Sequence, residues 1–436
     1  MKKVLIISYY FPPAGGPGSQ RVVKFVKYLS QFGWQPFVLT VENGEFPFLD
    51  TSLETDIPPG IKIYRTTSWE PFQLYKKLTG RKQNETLPVG LITDSKKGFR
   101  DRLFSWIRAN LFVPDARIGW IKSATNKALE IIQQNSIDII FSSSPPHSLQ
   151  LIAKKLKGGT GIPWVADFRD PWSEIRYYQF IHRTKYAADK DRRLEAEVLG
   201  NADAIISVSH SLTENFKTLS GNHNNTRFDV IPNGYDPTDF LGLKYKADSK
   251  FKIVHVGNLL SHQNPKVLWM GLQNLFRDYP ELKPKIKVQF VGRVHEAIVT
   301  SSKKFGLEQL IETLNFMPHT EALSVMKSAE ILLVVIPDII NNQGIVTGKI
   351  FEYIGNGRPI LLIGPENCDA AKIIHHIPNG TQCNYDDSEK CTKLLIHSVE
   401  KWKQKRLSES PLDVRTPFSR LNLTRKLVDI FNSLSE

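Results

Sequence analysis

The sequence predicts an α/β protein made of two doubly wound units in succession. Short apolar runs typical of buried strands alternate with segments of helical periodicity, first up to residue 231 and again from residue 251. The turn-rich segment 231–237 (Ile-Pro-Asn-Gly-Tyr-Asp-Pro) and the polar stretch behind it separate the two series. The chain of 436 residues also exceeds the usual size of one hydrophobic core. We therefore predict one domain at 1–235 and a second that begins at residue 236.

Composition limits the kind of partner that the chain can bind. The 57 Lys and Arg residues exceed the 44 Asp and Glu residues, which gives a formal net charge of +13 at pH 7. Such a charge favours an anionic partner, which could be a nucleic acid, an acidic membrane surface or a phosphorylated substrate. Charge alone does not choose among these. With 41% hydrophobic and 23% charged residues and no low-complexity tract, the chain is expected to be globular throughout.

Neither a membrane span nor a disulfide framework is expected. The N-terminal apolar run is too short for a signal-peptide core, and runs such as 331–336 fall well below the roughly 18 to 20 residues that span a bilayer. Cys368, Cys383 and Cys391 include no C-x-x-C pair, so neither disulfides nor a zinc site are indicated. A reducing cytoplasm fits this pattern.

A strand at 4–8 opens the first unit and leads into the Gly- and Pro-rich loop 11–18, after which a helix begins near Ser19. The loop fails the dinucleotide-binding fingerprint because Arg21 stands where a third glycine is required, so NAD binding is disfavoured. Its glycines, among them Gly16, indicate either a backbone that approaches an anion closely or a tight turn with positive φ. Both explanations stay open.

The rest of the first unit alternates strands with helices, apart from an irregular basic insert at about 68–120. Within the insert, apolar residues at helical spacing in 99–108 lie beside Arg100, Arg102 and Arg108. This stripe favours either an interfacial helix on anionic lipid or an ordinary surface helix packed on its own domain. Strands are predicted at 36–40, 61–66, 138–142, 163–167, 204–208 and 228–231, and helices at 121–134, 147–157, 186–199 and 211–219.

Polar residues follow two central strands of this unit. In an open α/β sheet, ligands lie beyond the carboxyl ends of the strands. The segment 144–147 and the pair Arg169-Asp170 occupy such positions, so both are candidates for chemistry. Asp170 before Pro171 is also an ordinary turn signal.

The second unit repeats the alternation from its first strand, 251–256, which ends in Gly257-Asn258. Further strands are predicted at 286–291, 313–316, 331–336 and 360–363, and helices at 265–276, 320–328, 389–405 and 416–434.

The segment 347–359 (Thr-Gly-Lys-Ile-Phe-Glu-Tyr-Ile-Gly-Asn-Gly-Arg-Pro) predicts a short helix between two buried strands. Thr347 is a candidate N-cap, while Gly357 and Pro359 end the helix. The apolar residues of the segment recur on one face and are expected to pack inward.

Lys349 and Glu352 share the opposite face of that helix. The free N–H groups near Gly348, the positive end of the helix dipole and the Lys349 ammonium would together suit a diphosphate. Glu352, one turn further on, could accept hydrogen bonds from a ribose, and the set then describes a nucleotide-sugar site. A solvated helical ion pair explains the same two residues equally well from residue types alone.

Four motifs, taken in their order along the chain, resemble the GT-B glycosyltransferases of family 4. They are the N-terminal strand with its Gly-rich loop, Ile-Pro-Asn-Gly-Tyr-Asp at 231–236, Val-Gly-Asn at 256–258, and Gly-Lys-Ile-Phe-Glu-Tyr at 348–353 followed by Gly-Arg-Pro at 357–359. The resemblance covers nearly the whole chain. It is greatest to the bacterial transferases of capsule, exopolysaccharide and O-antigen assembly, in which Lys-x-x-Glu-Tyr precedes a small-x-Gly-x-Pro turn.

The resemblance implies two Rossmann-like domains that face a cleft, with a terminal helix at 416–436 crossing back to the first domain. The domain at 1–235 would bind a glycan or polyprenyl-diphosphate-linked acceptor, and the domain at 236–415 a nucleoside-diphosphate sugar. Transfer would retain the anomeric configuration and need no metal or other cofactor. The resemblance also implies a cytoplasmic protein, peripheral on the inner face of the membrane, that acts in cell-surface polysaccharide synthesis and binds no nucleic acid.

The resemblance further assigns roles to individual residues. Lys349 would clamp the donor diphosphate, and Glu352 would hold the ribose hydroxyls. Arg169 stands where the family often has a histidine, with Asp170 next to it, so these two residues join Lys349 as catalytic candidates. The expected donor-binding residues are Gly16, whose amide would lie near the donor phosphates, Met317, in the loop that frames the nucleobase, and Gly257, Asn258, Gly348, Lys349 and Glu352.

Two departures from the family pattern concern contacts to the donor. Where the family has Gly-Arg and a lysine five residues later, this chain has Gly257-Asn258 and Gln263, so Lys349 would carry more of the phosphate charge. The first glutamate of the family's Glu-x7-Glu pattern is replaced by Gly344, so contacts to the sugar hydroxyls would come from amides or backbone.

Two other classes of function stay open. A nucleotide-sugar epimerase on the same fold would keep Lys349 and Glu352 but would need acid–base carboxylates or histidines in its cleft. A non-catalytic protein that binds nucleic acid or a membrane would explain the net charge of +13 and the missing phosphate-binding cations.

Overall fold

The protein folds into two compact units, one comprising residues 1–232 and 424–436 and the other residues 233–423. The division falls inside the turn-rich segment 231–237. The computed structural model describes residues 1–69, 106–175, 178, 182–221, 226–245, 248–406 and 408–435.

The first unit is built on a parallel sheet of seven strands. These are β1 (Lys2–Ile7), β2 (Trp34–Val41), β3 (Lys62–Thr66), β4 (Ile139–Ser144), β5 (Trp164–Phe168), β6 (Ala204–Ser207) and β7 (Arg227–Val230). Their order is β3-β2-β1-β4-β5-β6-β7, so the direction of winding reverses between β1 and β4, as in a doubly wound sheet. The principal helices are α1 (Pro17–Leu29), α2 (Ile121–Asn135), α3 (Ser148–Thr160), α4 (Lys185–Asn201) and α5 (His210–Ser220).

Helices on both faces exclude water from the middle of the sheet, which is why its central strands contain runs of apolar residues rather than alternating ones. The last four residues of β1 and the first three of β4 are fully buried. The register sets Ile7 beside Leu39 on one side and Ser142 on the other. The buried residues of β1 and β4 therefore fix the positions of the residues at the carboxyl ends of these strands.

A buried ion pair joins α1 to β5. The Nε and Nη2 atoms of Arg21 donate to the two carboxylate oxygens of Asp167 at 3.0 and 2.8 Å, and both side chains are fully buried. Arg21 also donates to the carbonyl oxygens of Ile231 and Pro232, at 2.8 and 2.9 Å. The residue that breaks the dinucleotide fingerprint thus fixes the peptides at 231 and 232, just before the chain enters the second unit.

The second unit has a parallel sheet of six strands. These are β8 (Phe251–Val256), β9 (Ile286–Val291), β10 (Ile311–Leu314), β11 (Ile331–Val335), β12 (Ile360–Ile363) and β13 (Gly380–Cys383), in the order β10-β9-β8-β11-β12-β13. The helices are α6 (Lys266–Asp278), α7 (Glu296–Lys304), α8 (His319–Lys327), α9 (Lys349–Asn356), α10 (Asp369–His375), α11 (Ser388–Lys403), α12 (Leu412–Arg415) and α13 (Arg420–Leu434).

Four elements of the second unit, α7, α10, α12 and β13, are absent from the sequence prediction. In β13 the sequence Gly-Thr-Gln-Cys lacks an apolar run, because a polar residue is buried there: Gln382 donates its amide to the carbonyl of Gly364 at 2.7 Å. The last helix begins at Arg420 rather than at residue 416, since Thr416–Phe418 form a 3₁₀ turn that contains Pro417.

The last helix, α13, starts in the second unit and ends in the first. Within the first unit the Phe431 ring lies 5.1 Å from the Trp34 ring and 5.9 Å from the Phe141 ring, measured between centroids. The indole N–H of Trp34 donates to the side-chain oxygen of Asn432 at 3.1 Å. The terminal helix therefore crosses back to the first unit.

Most of the basic insert predicted at 68–120 lies outside the described residues, and with it Arg100 and Arg102 of the amphipathic stripe. Among the residues that the structure does describe, no helix has both the length and the apolarity to cross a bilayer.

Candidate functional site

The segment 347–359 forms the short helix predicted for it, α9, between β11 and β12. Gly357 ends the helix at φ +81°, and Pro359 accepts a hydrogen bond from Leu332 of β11. The predicted N-cap is wrong. Gly348 occupies the cap position, and the Thr347 hydroxyl oxygen is buried without a hydrogen-bond partner.

Lys349 is the first residue of α9, and its ammonium points back over the end of β8. The Nζ atom lies 3.1 Å from the carbonyl oxygen of Asn258 and 3.2 Å from Nε2 of His255. Because the surrounding protein excludes water, burial lowers the pKa of Lys349 to about 8, while the nearby Glu352 carboxylate opposes the shift. A bound anion would restore the stabilisation that the ammonium has lost.

Glu352 follows one turn later and has a different partner. Its Oε1 atom lies 3.1 Å from Nε2 of His319, the first residue of α8. Among the described contacts, no ion pair joins Glu352 to Lys349. The helical ion pair that the sequence left open is therefore not formed, and each of the two side chains has a partner of its own.

Tyr353 explains how α9 is held against the sheet. Its hydroxyl accepts a hydrogen bond from the backbone N–H of Val256 at 2.9 Å, and burial raises the pKa of this phenol well above its usual range. Its side chain is fully buried beside those of Ile350 and Ile354. The packing of the apolar face of α9 on the sheet thus fixes the positions of Lys349 and Glu352 relative to the strand ends.

Gly257 leaves room for the lysine. Its φ is +108°, and a Cβ atom at this position would lie 2.4 Å from Cε and 2.9 Å from Nζ of Lys349. A side chain here would therefore strain the backbone and displace the ammonium.

We expect Gly257→Ala to weaken the nucleoside-diphosphate binding that the sequence predicts by about tenfold or more, since the added methyl group would displace the Lys349 ammonium. Isothermal titration with nucleoside diphosphates measures this. Gly306→Ala is the matched control, because Gly306 also has a positive φ, +66°, but no atom within 4 Å of the added Cβ. Equal losses in both variants would assign the effect to backbone strain alone.

The other predicted donor residues of the second unit lie on loops at the same edge of its sheet. Asn258 is exposed and offers Lys349 its carbonyl, and Met317 lies in the loop between β10 and α8. Gln263, which stands where the resemblance predicts a lysine, is a structural residue. Its side chain accepts from the N–H of Leu260 and donates to the carbonyl of Val335.

In the first unit, Arg169 and Asp170 follow β5 as predicted but differ in environment. The guanidinium of Arg169 donates to the carbonyls of Gly18 and Pro145, at 3.2 and 2.8 Å, and to the Ser143 hydroxyl at 3.1 Å. Arg169 therefore ties the Gly-rich loop to the end of β4. Asp170 is exposed to solvent.

Gly16 is the N-cap residue before α1 and has a φ of +99°, so the tight turn that the sequence left open is present. The Phe48 ring lies within 3.3 Å of the position a Cβ would take. Both the positive φ and this close packing require glycine here.

Two residues of the site in the second unit are absent from the sequence prediction. His255 lies in the apolar run of β8 and is 1% exposed, and His319 follows a proline at the start of α8. For His255, the sequence signal is a polar residue inside a strand predicted to be buried. For His319, it is a position just after the end of a predicted strand. Across the described ranges, no group of three His, Cys, Asp or Glu side chains is arranged to hold a metal ion.

Comparison with known proteins shows the fold. HepE from Anabaena, solved with UDP, matches at a TM-score of 0.62 and 13% identity over 99% of this chain and 100% of its own. Sucrose-phosphate synthase from Thermosynechococcus elongatus matches at a TM-score of 0.62 and 13% identity, over 100% of this chain and 99% of its own. The trehalose-6-phosphate synthase OtsA matches at a TM-score of 0.60 and 12% identity, over 99% of each chain.

Sequence comparison gives a partial match. No curated protein sequence matches the chain. The model of Glycosyltransferase Family 4 matches residues 87–239. The chain thus has the GT-B fold of glycosyltransferases, and residues 87–239 carry the match to Glycosyltransferase Family 4.

Proposed function

We propose that the protein is a retaining glycosyltransferase that moves a sugar from a nucleoside-diphosphate sugar to a glycan or lipid-linked glycan acceptor in cell-surface polysaccharide synthesis. The observation that carries the proposal is the start of α9, where a half-buried ammonium and a carboxylate stand one turn apart without pairing to each other. The Family 4 match and HepE, which has been solved with UDP and with UDP-glucose, support it.

The proposed reaction breaks the bond between the anomeric carbon of the sugar and the diphosphate. Negative charge builds on the phosphate oxygens as they leave, and the Lys349 ammonium and the amides around Gly348 would stabilise it. The leaving phosphate would itself help to deprotonate the attacking hydroxyl on the same face. Glu352 would hold the ribose, and Gly257, Asn258 and Met317 would complete the donor contacts.

In the first unit, Asp170 is the proposed catalytic residue, Arg169, the other predicted candidate, is proposed to position the loops beside it, and the Gly16 amide is a proposed phosphate contact. Asp170 is exposed, whereas Arg169 already uses N–H groups to hold neighbouring loops. The proposal therefore gives Asp170 the direct contact and Arg169 the task of shaping the loops. It includes no metal or cofactor, and it places the protein at the cytoplasmic face of the membrane.

The decisive experiment screens the wild-type protein against UDP, GDP, ADP, CDP, TDP and their sugars by thermal shift. We expect one nucleoside diphosphate to raise the melting temperature, and its sugar to be transferred to a lipid-linked glycan extract. Conversion of the sugar nucleotide without an acceptor would instead indicate an epimerase. If no nucleotide bound, while duplex DNA or anionic vesicles bound with a steep salt dependence, the proposal would be wrong.

The lowered pKa of Lys349 predicts how binding depends on pH. The ammonium is charged below its pKa of about 8 and loses its proton above that value, so UDP affinity should fall as the pH rises through 8. The fall approaches about tenfold per pH unit, the limit for one proton. Titrations from pH 7 to 9.5 measure it, above the range in which the UDP phosphate itself titrates. Lys349→Met should abolish the slope, and an equal slope in that variant would exclude Lys349 as its origin.

A further inference from the structure

His255 is a buried imidazole whose two nitrogens both have partners. Nδ1 lies 2.9 Å from the carbonyl oxygen of Leu333, on the neighbouring strand β11. Nε2 lies 3.2 Å from the Lys349 ammonium. The β8–β11 register, which pairs Val254 with Leu332, brings His255 and Leu333 side by side.

These two partners fix the state of the ring. A carbonyl oxygen only accepts, so the proton must be on Nδ1, and an ammonium only donates, so Nε2 must present its lone pair. A doubly protonated ring would set two positive charges 3.2 Å apart. Both neighbours therefore select one neutral tautomer.

We propose that His255 is a positioning residue for the donor diphosphate: as the neutral Nδ1–H tautomer it holds the Lys349 ammonium at the start of α9. This inference rests on the proposed function of the site. Together with the Asn258 carbonyl, Nε2 supplies a second acceptor for the ammonium, and Gly257 keeps the space between them open.

Electrostatics agree with this geometry. Burial and the Lys349 charge lower the pKa of His255 to about 3, and they outweigh the carbonyls of Leu333 and Asn258, which favour the protonated ring. Glu352 is the remaining charged group with an effect on Lys349. The ring therefore stays neutral at every pH at which the nucleotide site would work.

Two substitutions separate positioning from structural support. In His255→Gln the side-chain oxygen can reach the place of Nε2 and accept from Lys349, whereas in His255→Asn the shorter amide can replace the Nδ1–H bond to Leu333. We expect the glutamine variant to keep most of the affinity for UDP. The asparagine variant should lose about tenfold or more, mainly as a higher KM for the sugar nucleotide. A merely structural role predicts that asparagine is the milder change.

A second measurement needs no nucleotide. Ring ¹⁵N spectra of histidine-labelled protein, assigned by the signal lost in His255→Gln, should show a neutral Nδ1–H tautomer from pH 5 to 8. Lys349→Met should shift the Nε2 resonance of His255. His397→Gln, on the exposed face of α11, is the control for both measurements.

The outcomes of the two proposals differ. If the wild type bound no nucleotide, the proposed function would fail, and the tautomer and its response to Lys349→Met would still decide whether His255 holds the lysine. If the wild type bound UDP and both His255 variants bound it as tightly as the wild type does, the inference would be overturned. An Nε2–H tautomer, or a ring that is protonated at pH 6, would overturn it as well.

Discussion

Replacing Lys349 by methionine is expected to lower the rate of sugar transfer by about 10² to 10³, the usual cost of one charge-stabilising group in a water-excluded site. The substitution keeps the apolar stem against Gly257 and removes the ammonium. Asn258 and Gln263 stand at the two positions where the resemblance to family 4 glycosyltransferases implies further phosphate-binding cations. Lys349 should therefore carry an unusually large share of the phosphate charge.

The reduction should affect both binding and chemistry, because the diphosphate is charged in the bound donor and gains further charge as it leaves. Titration with UDP measures the loss of binding affinity. The single-turnover rate of transfer measures the loss in the chemical step. Lys393→Met is the matched control, since Lys393 is an exposed lysine of the same unit that pairs with Glu389 on α11. Unchanged kinetics in Lys349→Met would remove this residue from the site and leave the assignment of the activity without its main support.

A double change tests whether Lys349 and His255 act as a unit. If the histidine works through the lysine, adding His255→Asn to Lys349→Met should weaken UDP binding little further, because the contact it disturbs is already lost. Independent roles would make the two losses add. The thermal stability of each variant shows whether the fold is intact before the affinities are compared.

Much of this site follows from local signals in the sequence. Gly357 and Pro359 predict where α9 ends, and the spacing of Lys349 and Glu352 predicts that they share a face. The start of the helix was predicted less well, because a threonine before a glycine resembles an N-cap. In the fold it is Gly348 that occupies the cap, and the Thr347 hydroxyl stays unpaired.

What the sequence does not predict depends on contacts between distant segments. His255 and Lys349 are 94 positions apart, and the bond between them exists because β8 lies beside β11 and ends under the first turn of α9. A histidine in an apolar strand indicates burial, but its partner depends on strand order. The same holds for β13, in which Gln382 is satisfied by a carbonyl outside its own strand. Local patterns cannot identify such partners.

Breaking the buried pair of Arg21 and Asp167 should cost about 3 to 5 kcal/mol of folding stability, because one charge would be left in the core without its partner. Both side chains are fully buried. In Arg21→Met the Asp167 carboxylate would keep the Ser143 hydroxyl, at 2.6 Å, as a donor. The carbonyl of Ile231 would lose the guanidinium N–H that it accepts at 2.8 Å. Urea denaturation measures the loss as a lower midpoint.

Replacing both partners together distinguishes an uncompensated charge from lost packing. In the double variant Arg21→Met with Asp167→Leu neither position of the pair carries a charge, so we expect it to be more stable than either single variant. Lys127→Met is the control, because the Lys127–Glu130 pair is largely exposed and should contribute less than about 1 kcal/mol. A loss in Arg21→Met as small as in the control would show that the first unit does not need this pair. Arg21 would then have no role that explains why an arginine, rather than the glycine of a dinucleotide-binding loop, stands at this position.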